Sequence, residues 1–173
     1  MAQPHVLGIE IGGTKLQLGL GAGDGQITAL RRLKVDPAAG AQGILSQIAD
    51  ALGPLLESVG VSPMEIPAVG IGFGGPVDAD RGIVTKSHQI AGWEGFRLAD
   101  WVRETLHIRC VAIRNDADTA ALAEARFGAG VGRSPILYVT IGSGIGGGLV
   151  IEGAIYRGSG GGAIEIGHLW VLD

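Results

Sequence analysis

Residues 6–21 read VLGIEIGGTKLQLGLG. Apolar side chains alternate through Leu7, Ile9 and Ile11, stop at Gly12 and Gly13, and resume through Leu16, Leu18 and Leu20. That is the pattern of a strand, a glycine turn and a returning strand. A third strand around residues 27–35 would complete a meander. The period then changes: Ile44, Leu45, Ile48, Leu52, Leu55, Leu56 and Val59 recur at helical spacing, predicting a helix over residues 41–60. Gly53 and Pro54 fall inside it and should kink or divide it. Residues 66–73 read as a short buried strand ending at Gly74, Gly75 and Pro76, followed by a loop-rich excursion to Gly95. A second helix over residues 97–106 carries Leu98, Trp101, Val102 and Leu106 on one stripe. The strand CVAIRND follows, ending on Asn115 and Asp116, and ADTAALAEARF after it is a strong helix former. Strands alternating with helices after a meander predict an α/β sheet with polar residues at strand ends facing a site.

The opening hairpin has an echo. Tyr138 begins YVTIGSG, again a strand running into a glycine turn, and Glu10 aligns with Thr140 and Gly12 with Gly142, an offset of 130 residues. Two glycine hairpins at a domain-sized interval predict a duplicated domain. A complete second copy would run to about residue 270 by simple symmetry, so the 173 residues hold a first domain and about a third of a second. The expected boundaries are residues 1–118 for the N-terminal domain and 119–173 for the beginning of the second, larger one.

Composition narrows the class. Of 173 residues 32 are glycine, and 14 of these lie in the 40 residues from Gly128 to Gly167. Hydrophobic residues make up 46%, too many for an intrinsically disordered chain. Thirteen basic against 17 acidic residues give a net charge of −4, and no basic run exceeds Arg31 and Arg32, so nothing favours nucleic acid or an anionic membrane. The uncharged stretch SPILYVTIGSGIGGGLVI, residues 134–151, is broken by five glycines and a proline and reads as two strands, not as a membrane span. A single cysteine, Cys110, fits a reducing compartment, and the N-terminus lacks a secretory pattern. A cytoplasmic protein is expected.

A glycine turn between strands gathers backbone N–H groups without a Cβ in the way, so a polyphosphate can approach the main chain. Either hairpin alone is equally an ordinary tight turn. Two of them, with Thr14, Lys15 and Ser143 beside them, could hold a nucleotide's phosphates from both sides. Neither has P-loop spacing, nor does either open a helix in the dinucleotide-binding manner. Asp116 stands where a strand end meets a helix start, either as a carboxylate at the mouth of the sheet or as a helix cap. Glu165 and His168, three apart, could face one ligand or could be a surface glutamate and a core histidine. Trp93 could cover a sugar's apolar face or fill the core. His5, His88 and His107 show no ligand spacing, and Asp78 and Asp80 read as turn residues.

GIEIGGTK, GIGFGGPVD, NDADTAALAE, VTIGSGIGGG and EIGH, in that order, resemble the ROK family (repressor, open reading frame, kinase) of bacterial sugar kinases. The resemblance covers nearly the whole chain and implies an actin-like ATPase (ribonuclease H-like) α/β fold of two duplicated domains. It implies that Gly12, Gly13, Thr14 and Lys15 form a first ATP phosphate loop and Gly142, Ser143, Gly144 and Gly146 a second. Asp116 would be the general base that deprotonates a hexose hydroxyl, commonly the 6-hydroxyl. Gly75, Asn115, Asp116, Glu165 and His168 would bind the sugar, glucose or a related hexose or amino-hexose. ATP and Mg²⁺ are the implied cofactors, with Glu10 at the Mg²⁺ water shell, and structural Zn²⁺ at His168 belongs to a longer form carrying a cysteine-rich motif. Family members commonly form homodimers. Family repressors add an N-terminal DNA-binding domain, for which residues 1–9 leave no room, so the second reading is a non-catalytic sugar-binding or sugar-sensing regulator without one. Four positions depart from the family pattern: Glu10 for aspartate, Gly74-Gly75-Pro76 for Pro-Gly-Pro, Asp118 for asparagine, and Ile164 for glycine.

Overall fold

A computed structural model describes residues 4–87, 89–142, 144–159, 164 and 166–168. Two compact units divide the chain, residues 1–116 and 117–173.

The first unit is built on a five-stranded sheet in the order β3-β2-β1-β4-β7. β1 (Val6–Ile11), β2 (Lys15–Gly21) and β3 (Ile27–Lys34) form the antiparallel meander. β4 (Ala68–Phe73) pairs parallel with β1, and β7 (Cys110–Asn115) parallel with β4. The excursion between β4 and the second helix contains a two-strand ladder, β5 (Val77–Asp78) and β6 (Ile83–Val84), with Val84 bridged to Phe96. The crossover between the parallel strands β1 and β4 includes α1 (Gly40–Glu57), and that between β4 and β7 includes α2 (Leu98–Leu106). Both helices pack into one core with Leu7, Ile9, Ile11, Leu16, Leu18, Leu20, Val69, Ile71 and Ile113. The other face of the sheet carries small side chains, Gly8, Gly19, Gly70 and Ala112, which are paired across four strands.

Two expectations change. α1 runs undivided through Pro54, because Asp50, Gly53 and Pro54 lie on its exposed face while Leu52, Leu55 and Leu56 are buried beneath. Solvent can satisfy the carbonyl that Pro54 leaves without a donor, and each buried aliphatic side chain contributes about 1.5–3 kcal/mol against a break. Trp93 is a core residue, 1% exposed, edge-on to Phe73 (5.2 Å, 74°) and to Phe96 (5.5 Å, 85°), and so does not offer its face to a sugar. Its indole N–H meets no acceptor among the described residues.

In the second unit, α3, which opens at Asp116 (Asp116–Phe127), is followed by β8 (Ile136–Ile141), β9 (Ile145–Ile151) and β10 (Ala154–Ile155), a three-stranded sheet in the order β10-β9-β8. β8 exposes the apolar Leu137, Val139 and Ile141 on one face, while Ile136, Tyr138 and Thr140 on the other are half-buried. Among the described residues no helix is long and apolar enough to cross a membrane.

Candidate functional site

Three parallel strands end in register. Ile11 pairs with Phe73 and Phe73 with Asn115, so the next residue of each strand, Gly12, Gly74 and Asp116, leaves the sheet at the same edge. This is the carboxyl end of a parallel sheet, where ligands of open α/β folds bind. The Gly74 N–H donates to the Ile11 carbonyl at 2.8 Å, closing the Gly74 turn onto the end of β1. A Cβ at Gly74 would lie 3.2 Å from the Ile11 carbonyl oxygen and 3.4 Å from both Asp116 Oδ2 and Gly12 Cα. Glycine there lets the main chain approach the carboxylate and the first turn together. Asn115 Nδ2 donates to the Gly75 carbonyl at 3.2 Å, tying the end of β7 to the same turn. Four of the expected site residues, Gly12, Gly75, Asn115 and Asp116, are thus gathered by one sheet edge.

The first hairpin turn is closed by the Gly12 N–H donating to the Lys15 carbonyl at 2.9 Å. Thr14 accepts from the Val35 N–H at 3.0 Å through its carbonyl, which fixes the far side of the turn. A Cβ at Gly13 would fall on the side-chain amide of Gln89, whose Cδ lies 2.6 Å from that point. A Cβ at Gly75 would lie 3.0 Å from the Lys86 carbonyl. Lys86 and Gln89 therefore border the glycine turns. Gln89 escaped the sequence reading because an isolated glutamine in a loop carries no spacing signal.

Glu10 lies one residue before the turn, its side chain 43% exposed. Lys15 Nζ stands 3.0 Å from Glu10 Oε1, and Gln17 Nε2 donates to Oε2. Gln17 in turn accepts from Arg32 Nε at 2.8 Å. Gln17 and Arg32 were also missed: their place follows only from the register Glu10–Gln17–Arg32 across β1, β2 and β3.

The second hairpin is tighter by one residue: Ile141 pairs with Ile145, where Ile11 pairs with Leu16. The Gly142 N–H donates to the Gly144 carbonyl at 2.8 Å, and Cβ atoms at Gly142 or Gly144 would meet nothing within 4 Å among the described residues. Gly146 pairs with Thr140. Gly148 has another reason to be glycine, since a Cβ there would lie 2.8 Å from the Ala117 carbonyl and 2.7 Å from Ala121 Cβ. Its lack of a side chain lets α3 lie on β9. Ser143 and Glu165 fall outside the described residues, as does the side chain of His168, whose backbone belongs to a 3₁₀ turn over Ile166–His168. His88 is likewise outside them. Among the described residues no three of His, Cys, Asp and Glu gather as metal ligands.

The ROK family profile matches residues 6–173. The glucokinase of Halalkalibacterium halodurans is 34% identical over 172 residues, 99% of this chain and 52% of that protein. The kanosamine kinase of Amycolatopsis mediterranei is 36% identical over 169 residues, 98% of this chain and 53% of its own. Among solved structures, a ROK family glucokinase from Streptomyces griseus, in complex with glucose and AMPPNP, superposes with a TM-score of 0.85 at 36% identity, over 97% of this chain and 51% of that one. The chain spans about half the length of the curated relatives it matches. With an α/β sheet of the actin-like ATPase type and matches along nearly its whole length, this chain belongs to the ROK family.

Proposed function

We propose that the protein is an ATP-dependent sugar kinase in which Asp116 accepts the proton of a hexose hydroxyl as that oxygen attacks the γ-phosphate of ATP. The observation that carries this reading is the shared sheet edge: Gly12, Gly74 and Asp116 follow the ends of three strands in register, and the place a Gly74 Cβ would take lies 3.4 Å from both Asp116 Oδ2 and Gly12 Cα. Phosphoryl transfer needs positioning and charge stabilisation more than covalent chemistry, and a carboxylate base beside glycine turns whose main chain a phosphate can approach suits both. Asn115, fixed through Gly75, can donate to and accept from a sugar hydroxyl, and Glu165 and His168 complete the proposed sugar contacts. Gly12, Gly13, Thr14 and Lys15 are assigned to the nucleotide phosphates, Gly12 through the close approach its missing Cβ allows because its N–H already closes the turn, and Gly142, Ser143, Gly144 and Gly146 are proposed as further phosphate contacts.

Magnesium would neutralise charge on the phosphoryl oxygens. Glu10 suits it: Mg²⁺ is commonly held by one or two carboxylates plus substrate phosphates, and Glu10 is a half-exposed carboxylate one residue from the turn. For zinc, the described residues hold no ligand set. A cytoplasmic location, a homodimer, and residues 119–173 as the start of a second domain are parts of the same proposal.

Glucokinase and kanosamine kinase among the relatives point to a hexose or an amino-hexose as acceptor. The test is ADP formation by the complete gene product with glucose, mannose and amino-hexoses in turn. Sugar-dependent ADP release with at least one of them is expected. Release with none, alongside sugar binding by thermal shift, would favour the sugar-sensing reading instead.

A further inference from the structure

Where the family pattern has aspartate, this chain has Glu10, whose extra methylene adds a rotatable bond and moves the carboxylate outward. A longer arm held loosely would make a poor partner for a hydrated cation, because each freely rotating bond must be ordered when the ion binds. On the sheet face that bears Glu10, the register places Gln17 opposite Glu10 and Arg32 opposite Gln17. Gln17 Nε2 donates to Glu10 Oε2, while Arg32 Nε donates to Gln17 Oε1 at 2.8 Å. The guanidinium fixes which way the amide faces, since a flip would set the amide oxygen against the carboxylate and its NH₂ against Arg32. It also polarises the amide, strengthening its N–H as a donor. Lys15 Nζ holds the other carboxylate oxygen at 3.0 Å.

We infer that Gln17 is a positioning residue that acts through Glu10: oriented by Arg32, its amide straps the longer carboxylate in place and so restores the metal geometry that a shorter aspartate would have unaided. This inference rests on the assignment of Glu10 to the magnesium shell made above. Partners of this kind, which orient a metal-binding group without touching the metal, typically change metal affinity by 10–100-fold when removed. Gln17 is half-buried on the sheet face opposite the core residues of its own strand, so the Gln17→Leu variant keeps Leu16 and Leu18 in place.

Mn²⁺ serves as a paramagnetic probe. The protein is saturated with ATP, without sugar, and the broadening of the Gly12 and Gly13 amide NMR signals is followed as Mn²⁺ is added. In the Gln17→Leu variant the Mn²⁺ concentration for half-maximal broadening should rise about tenfold, with the amide spectrum of the metal-free protein otherwise retained. Arg32→Leu should raise it by a smaller factor. In the Glu10→Asp background, where the carboxylate withdraws from the amide, adding Gln17→Leu should change it by less than about twofold. A Gln17→Leu variant that matches the wild type, or one that loses the same factor whichever carboxylate stands at position 10, overturns the strap. If Glu10→Gln also leaves the broadening unchanged, the assignment of Glu10 itself is wrong and the inference falls with it.

Discussion

Asp116 opens α3 where β7 ends, and its neighbours decide what it can do. A methyl group added at Gly74 would stand 3.4 Å from both Asp116 Oδ2 and Gly12 Cα, and 3.2 Å from the Ile11 carbonyl oxygen. Gly74→Ala should therefore displace the carboxylate and the first turn by a few tenths of an ångström. We expect kcat to fall about tenfold with little change in melting temperature, since small misplacements at a reacting centre cost rate before stability. An unchanged kcat would mean that the approach of Gly74 to Asp116 is incidental. Trp93 belongs to the opposite category. Packed between Phe73 and Phe96, it should lose about 3–5 kcal/mol on truncation to alanine. Trp93→Phe should cost much less, because the indole N–H has no acceptor there to lose among the described residues. Denaturant unfolding of the two variants separates packing from any polar role.

Elements were legible in the sequence where periodicity and punctuation agreed. The hairpin of Ile11, Gly12, Gly13 and Leu16 is read directly from alternation and paired glycines, and Asn115 and Asp116 fall at the predicted strand–helix junction. Pro54 misled, because the lost hydrogen bond and ring clash of a proline end a helix only where packing does not outweigh them, and that packing is tertiary. Gln17, Arg32 and Gln89 were invisible for a related reason: their partners are set by register and by loop placement. The glycines of β9 show the same limit, since Gly148 serves the contact with Ala117 and Ala121 of α3. Gly148→Ala should destabilise the protein by roughly 1–3 kcal/mol through overpacking, measurable by chemical denaturation, while the open Gly144 position should tolerate alanine without comparable loss. At the start of α2, hydrogen bonding from Arg97, aided by its charge and by Arg103, holds the Asp100 carboxyl below its ordinary range. A lowered carboxyl pKa stabilises the fold above the unfolded value, and that contribution disappears as pH falls through the folded one. The melting temperature of Asp100→Asn should lie below the wild type's at neutral pH and converge with it in acid; a constant gap across the range would point to another cause.

For the molecule as a whole, the two glycine hairpins and the family match describe a chain that spans about half the length of its curated relatives. On β8, Leu137, Val139 and Ile141 share one exposed face, and Ile136, Tyr138 and Thr140 the other, half-buried one. What the sequence could not supply is the alignment of Gly12, Gly74 and Asp116 at one edge, which follows from the parallel register of β1, β4 and β7. That alignment is the centre of the account, and transfer of the γ-phosphate from ATP to a hexose tests it directly. In the complete gene product, Asp116→Asn should lower kcat by about 10²–10⁴-fold while the fold, judged by melting temperature, is retained. A variant that phosphorylates the sugar at the wild-type rate would show that Asp116 is not the base.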